Sequence, residues 1–463
     1  MLRADRRILN AAVAGGSLLL VATFARPLLQ RAGFADAPQD GLERLRARLG
    51  SFAPDGRGVS VLQVEASDRG GGWSLNTKSG RFRDIPVDPL APNPVPSVHA
   101  DMVANAMLSM APGVSRICTA SSDWFLTTLL GAGRPDSPGS LPLGTKIVFC
   151  AWVATAGAAA DNDVLRRADW LVARSPFTLV AGQKNASALM GCAYNAIAVG
   201  PANGPANRGV PSGLDGSGRC KPDMVTSEGA ASPATGRVAG AAAALLDAAS
   251  RLPNLKDDLA ARRPETIKAV LLAGAVRAAG WTNLDDVPGA PPVRATAQPL
   301  DRTVGAGRLD IARAAQALAA GRPSSERAFA GVGGWDLVTW SDASGAEQRE
   351  VTYRIEIERD AGELAVVCCW NRQVLDAEHW ALSDVDLRVE RIGPEAADEW
   401  AASGNFASES RVDNVEMLLL RDIKAGEYRL TISLRDGAPV ATAISWLVSG
   451  PSRRGAASPA VER

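Results

Sequence analysis

Short apolar runs alternate with amphipathic stretches through the first two-thirds of the chain. GVSVLQVEA (58–66) reads as a strand ending at Glu65, and KIVFCAWV (146–153) as an apolar strand. FTLVAG (177–182) and NAIAVG (195–200) read as two shorter strands. GLERLRARLG (41–50), HADMVANAMLSMA (99–111), DNDVLRRADWLVAR (161–174) and ETIKAVLLAGA (265–275) carry helical spacing, whereas 67–97 is loop-rich. Residues 233–250 form a helix made almost wholly of Ala, Gly, Val and Leu, so it is expected to be buried on every side. Strands alternating with helices predict an α/β fold, a mostly parallel sheet with helices on both faces.

The pattern changes after about residue 325. VTYRIEIER, ELAVVCCW, VDLRVERI, VEMLLL, EYRLTISL and TAISWLV are strands at short intervals with no helix between most of them. That arrangement predicts an all-β sandwich. GRPSSERAFAG (321–331) reads as the linker. The expected division is an N-terminal segment 1–37, an α/β domain 38–322, a β-sandwich domain 323–450 and a disordered tail 451–463.

The N-terminus begins with the basic MLRADRR and continues into the apolar ILNAAVAGGSLLLVATFA; an Ala-x-Ala pattern follows at Ala35-Asp36-Ala37. Residues 1–37 therefore read as a signal peptide or, uncleaved, as a membrane anchor. Both point to a secreted, periplasmic or membrane-anchored protein, with membrane contact only through this segment. The chain has 463 residues, 50 basic and 50 acidic, and a pI near 6.8. That balance argues against a nucleic-acid partner. The six cysteines show no CxxC spacing, which argues against zinc.

Ser232 changes the picture. It stands at the mouth of the small-residue helix, where backbone N–H groups are unpaired and the helix end carries partial positive charge. A serine there can attack a carbonyl while its own N–H holds the oxyanion; it can equally be an N-cap. A serine nucleophile needs a base and an acid that orients the base. Of the two histidines, His379 reads as a surface residue and His99 starts a helix. Glu65 ends an apolar strand one element earlier, where sites of α/β folds sit. Glu65, His99 and Ser232 thus give acid, base and nucleophile in that order.

These segments resemble the subtilisin-like serine proteases over about 270 residues, from Gly58 to about Leu318. GVSVLQVEA resembles the strand ending in the family's acid, with Glu65 where the family has Asp. VHADMVANAM resembles its HGTxVAG helix start, and AASPATGRVAGAAAALL its GTSxATPxVAGAAALL segment. FTLVAGQKN, NAIAVG, GRCKPDMV and VGAGRLD resemble VVAAGN, AIAVG, GRxKPD and GAGxLD. The resemblance implies a peptidase domain that cuts a polypeptide substrate through an acyl-enzyme, with Glu65, His99 and Ser232 as the triad and no required cofactor. It places Gln183 at the family's oxyanion asparagine, with Asn185 as the alternative. Ala100 replaces a family glycine and Gly236 a family proline. The departures leave a second reading open, a catalytically impaired member that binds peptides or proteins.

The resemblance also brings Cys192 and Cys220 near each other, which implies a disulfide between them. The C-terminal strands resemble the jelly-roll-type β-sandwich found after many secreted bacterial proteases. Asp384, Asp386, Asp413 and Asn414 could there supply oxygen ligands to calcium, or serve as plain strand and turn residues.

Overall fold

The computed structural model describes residues 40–184, 187–202, 209–283, 295–323, 329–340, 349–392 and 406–451. Its first unit is built on a seven-stranded parallel sheet. The strands are β1 (Ser60–Glu65), β2 (Val87–Pro89), β3 (Arg116–Ser121), β4 (Thr145–Cys150), β5 (Thr178–Gly182), β6 (Ala196–Pro201) and β7 (Met224–Thr226), in the order β2-β3-β1-β4-β5-β6-β7. β1 lies between β3 and β4, with Glu65 opposite Ser121 and Val64 opposite Cys150. All six of its residues are buried, as a central parallel strand covered on both faces requires.

Among the described residues, six helices of eight residues or more frame the sheet: α1 (Leu42–Leu49), α2 (Val98–Met110), α3 (Ala158–Arg174), α4 (Ala231–Arg251), α5 (Pro264–Gly274) and α6 (Ile311–Ala320). Alternation along each strand splits the core in two. Val61, Ile117, Phe149, Val180 and Val199 pack with α2, α4, α5 and α6, while Leu62, Val64, Val148, Leu179 and Ala181 pack with α3. Helix α4 is buried from Ala234 to Ala249 except at Arg237, as its small-residue composition predicts. It begins at Ala231, two residues earlier than the sequence pattern suggests, so Ser232 stands inside the first turn and not in front of it.

The second unit is a sandwich of mostly antiparallel sheets. Its strands are β8 (Ala295–Thr296), β9 (Phe329–Ala330), β10 (Gly333–Thr339), β11 (Glu350–Ile357), β12 (Ala361–Trp370), β13 (Gln373–Val374), β14 (Trp380–Ala381), β15 (Asp384–Ile392), β16 (Ala407–Ser408), β17 (Val415–Ile423), β18 (Gly426–Asp436) and β19 (Ala441–Pro451). One sheet runs β10-β19-β12-β17 and the other β8-β16-β15-β18-β11-β9, with parallel pairs only at the edges, β8–β16 and β9–β11; β13 and β14 form a separate hairpin. Tyr353, Leu364, Val366, Trp370, Leu387, Leu418, Leu430 and Trp446 fill the space between the two sheets.

The two units share a core. Trp335, Ala365, Val367, Cys369, Met417 and Ala443 face away from the sandwich interior and join the cluster around α5 and α6. Polar anchors fix the same seam. Arg372, 1% exposed, is held between Asp169 and Asp215 with its guanidinium over the ring of Tyr194. Asn195 and Arg372 also exchange hydrogen bonds through Arg372 N–H and O. Arg277 and Arg313 meet at Glu363. Strand β8 comes from the sequence before α6 yet pairs with β16 of the sandwich. The expected leader, 1–37, lies outside the described residues, as does the expected tail, 451–463, except for Pro451, which ends β19. Among the described residues, no helix is long and apolar enough to cross a membrane.

Candidate active site

Strand β1 delivers Glu65 to the C-terminal edge of the sheet with its side chain on the α2 side. The carboxylate is 1% exposed, and its Oε2 receives the Nδ1–H of His99 at 2.8 Å. Its Oε1 accepts from Gln63 Nε2 at 2.8 Å. His99 sits in the first turn of α2, after Ser97, whose N–H is tied to Ser74 O. The imidazole is part-buried, its side chain 41% exposed. Burial works to lower its pKa, but the Glu65 hydrogen bond, the Glu65 charge and the nearby Asp68 charge outweigh that and raise it above its ordinary value. Asp68 closes the loop after β1 by accepting the N–H groups of Gly70 and Gly72, and the Gly72 hydrogen bond leads in holding its pKa below the usual carboxylate value.

Ser232 reaches the same edge on a different helix. Helices α2 and α4 run side by side in the same direction with almost no space between them. A Cβ at Gly240 would lie 2.3 Å from Met107 O and 2.7 Å from Met110 Cβ; one turn earlier, a Cβ at Gly236 would lie 2.4 Å from Val103 O. Four residues along α4 therefore answer four residues along α2. One further turn back brings Ser232 level with His99. The glycine standing at the family's proline position is what lets the two backbones touch. Ser232 Oγ donates to Ala151 O, just past β4, at 3.0 Å. Its N–H lies in the first helical turn, where no intrahelical acceptor exists, and Pro233 contributes no N–H.

The oxyanion candidates stand differently. Gln183 is wholly buried, and its N–H is bound to Val199 O. A Cβ at Gly191 would lie 2.2 Å from Gln183 Oε1, so the carboxamide rests on that glycine, within hydrogen-bonding reach of Cys192. The carboxamide is thus directed at Gly191 and Cys192. Asn185 lies outside the described residues.

Two further expectations are corrected. Cys192 and Cys220 are free thiols, as are the other four cysteines, and all six are buried. Cys192 packs on the α3 face of the sheet and Cys220 on the α4 face, with Sγ atoms directed to Ser187 O and Leu300 O. The sheet stands between them. The four calcium candidates do not converge either. Asp386 pairs with Arg435 at 2.6 Å. Asp384, on the same strand, has its carboxyl pKa raised by burial. Asp413 accepts the Cys220 N–H and the Ser410 hydroxyl, and Asn414 donates to Tyr194 O and Trp370 O, which fastens the sandwich to the α/β unit. Among the described residues, no group of three or more His, Cys, Asp or Glu could hold a metal ion. His379 is exposed and bound to Asp376, far along the chain from the site and remote from Glu65 in its bonding.

Reasoning from sequence missed Gln63, which bridges Glu65 and the carbonyl of Ala100. The signal was available: it is the one polar residue inside VLQV, and it stands two before Glu65, on the same face of the strand.

No family model matches the chain, and no curated protein matches it. Solved structures do. A serine protease of Aeromonas sobria is 13% identical, with 94% of this chain and 97% of that chain covered and a TM-score of 0.36. The PatG macrocyclase in complex with peptide is 14% identical, covering 61% and 98%, TM-score 0.39. MycP1 from Mycobacterium smegmatis is 16% identical, covering 60% and 84%, TM-score 0.32. By its motifs and by the order of Glu65, His99 and Ser232 along a parallel sheet that a β-sandwich follows, the chain resembles the subtilisin-like serine proteases.

Proposed function

We propose that the protein is a serine endopeptidase that cuts polypeptides through an acyl-enzyme. The observation that carries this reading is the 2.8 Å contact between His99 Nδ1 and a fully buried Glu65; the register of α2 against α4 at Gly236 and Gly240, continued one turn back, supports Ser232 as its partner. With Nδ1–H committed to Glu65, the other ring nitrogen, Nε2, is the one left to accept a proton. Ser232 Oγ leaves Ala151 O by a χ1 rotation and gives its proton to Nε2 as it attacks the scissile carbonyl. Glu65 orients the ring and stabilises the imidazolium. The negative oxygen forms at the α4 N-terminus, beside the Ser232 N–H and the positive end of the helix dipole. His99 then protonates the leaving amine, and water repeats the sequence to free the acyl group. The chain acts after export, either free or held by its N-terminal segment.

A second reading, a peptide-binding protein on the same frame that does not cut, is favoured by Gln183, which is wholly buried with its carboxamide against Gly191 where the family has its oxyanion asparagine. Removing such a donor costs about 10²–10³ in rate, so a slow enzyme and a silent one are the two outcomes to separate. Incubation of the full chain with an unfolded protein, followed by peptide mass spectrometry, separates them. Cleavage that disappears in Ser232→Ala supports the peptidase. Cleavage that persists in that variant, or no cleavage by folded protein, overturns it.

A further inference from the structure

Gln63 is a wholly buried amide in the central strand of the sheet. Its orientation follows from its neighbours. Two acceptors face one end of it, Glu65 Oε1 at 2.8 Å and Ala100 O at 2.9 Å. Only an NH₂ group satisfies both, because a carbonyl oxygen turned there would meet two oxygens. The other end, Oε1, has no hydrogen-bond partner. A buried acceptor left unpaired costs about 1–3 kcal/mol, a penalty that the two bonds donated to Glu65 and Ala100 offset.

The contacts form a closed circuit. Glu65 binds His99 through one carboxylate oxygen and Gln63 through the other. Gln63 binds the carbonyl of Ala100, the residue joined to His99 by a peptide bond. One donor group thus fixes both the carboxylate plane and the helix turn carrying the imidazole. Glutamate has one more rotatable bond than aspartate, and without a second tether its carboxylate could turn away from the ring.

We propose that Gln63 is a positioning residue for the Glu65–His99 pair, and that it is what allows a glutamate to serve as the orienting acid here. This rests on the peptidase reading above. The carboxylates that face His99 are Glu65 on β1 and Asp68 in the loop that follows. Removing the Gln63 tether frees the first and leaves the second.

The test uses Gln63→Leu and the slimmer, near-isosteric Gln63→Met in the full chain, with two readouts. The first is the rate of covalent labelling by a fluorophosphonate. The second is the titration of the two imidazoles by NMR, where exposed His379 serves as an internal reference. The expected result is labelling slowed by about 10–100-fold, the range seen when outer-shell partners are removed from metal sites. The His99 midpoint should move down while that of His379 stays. Glu65→Asp combined with Gln63→Leu should be no slower than Glu65→Asp alone, since the shorter carboxylate cannot span both partners. A folded Gln63 variant with an unchanged labelling rate and an unchanged His99 midpoint would overturn the proposal. If neither variant folds, the native protein decides it: the Gln63 side-chain NH₂ resonances should follow the His99 titration, and resonances that ignore it would refute the circuit. Native protein that fails to label sinks the peptidase reading alone, because the His99 midpoint still judges Gln63.

Discussion

Replacing Gly236 by alanine tests how the two helices that carry the proposed base and nucleophile are held together. Helix propensity favours the change by about 1 kcal/mol. Packing opposes it. The new Cβ would lie 2.4 Å from Val103 O and 3.1 Å from Ala106 Cβ, where ordinary contact begins near 3.4 Å. The neighbour at 2.4 Å is backbone, so no side chain can swing aside, and α2 must retreat by about 1 Å. Overpacking of this kind costs about 1–3 kcal/mol, so the net effect on stability lies between neutral and about 2 kcal/mol unfavourable. The effect on chemistry should be larger. His99 rides on α2 and Ser232 on α4, and a 1 Å misplacement of reacting groups costs about 10² in rate. Thermal unfolding and fluorophosphonate labelling of Gly236→Ala should therefore show a small loss of stability and a large loss of rate. Gly280→Ala, whose added Cβ meets nothing within 4 Å, should show neither. Gly236→Ala labelling at the native rate would refute the claim that backbone contact between α2 and α4 sets the site.

Three other outcomes are expected. Arg372→Met should destabilise the chain by about 3–5 kcal/mol in denaturant titration, because Asp169 is left charged and buried; a change below about 1 kcal/mol would show that the seam does not depend on this pair. The labelling rate should rise with pH as His99 loses its proton, with a midpoint above about 6.5, and Glu65→Gln should move that midpoint down. By the same linkage, the stability that the raised His99 pKa contributes should be full below its ordinary value and fade as pH rises through the folded one. Thiol counting should find six reactive cysteines after denaturation without reductant and almost none in the native protein; four would restore a disulfide.

Much of the architecture is written in local pattern. The period-2 and period-3.6 runs mark the strands and helices, and the all-small composition of α4 marks a helix that must pass between other layers. The candidates for acid, base and nucleophile stand out because so few residues could fill the proposed roles: the chain has two histidines, and only His99 follows an apolar strand that ends in a carboxylate. Side-chain direction was not readable. Gln183 occupies the expected place in sequence, yet its amide is directed at Gly191 and Cys192. Cys192 and Cys220 are close along the fold, but which face of the sheet each takes depends on loop paths that no periodicity encodes. Asp413 and Asn414 resemble ion ligands in one dimension because both jobs need oxygen-bearing side chains in a turn; only the docked sandwich reveals that they bind Cys220, Tyr194 and Trp370. Arg372 gave no sequence signal, since its partners Asp169 and Asp215 lie more than 150 residues away.

The central claim is that Glu65, His99 and Ser232 act as one unit. Intact-mass measurement of fluorophosphonate labelling on the native chain, Ser232→Ala, His99→Ala, Glu65→Ala and the triple variant tests it most directly. The account predicts one adduct on the native chain, located at Ser232. It predicts none on Ser232→Ala, and a loss in His99→Ala about as large as in the triple variant, because residues that act together are not additive. An adduct that forms equally fast without His99, or one on a residue other than Ser232, would contradict it.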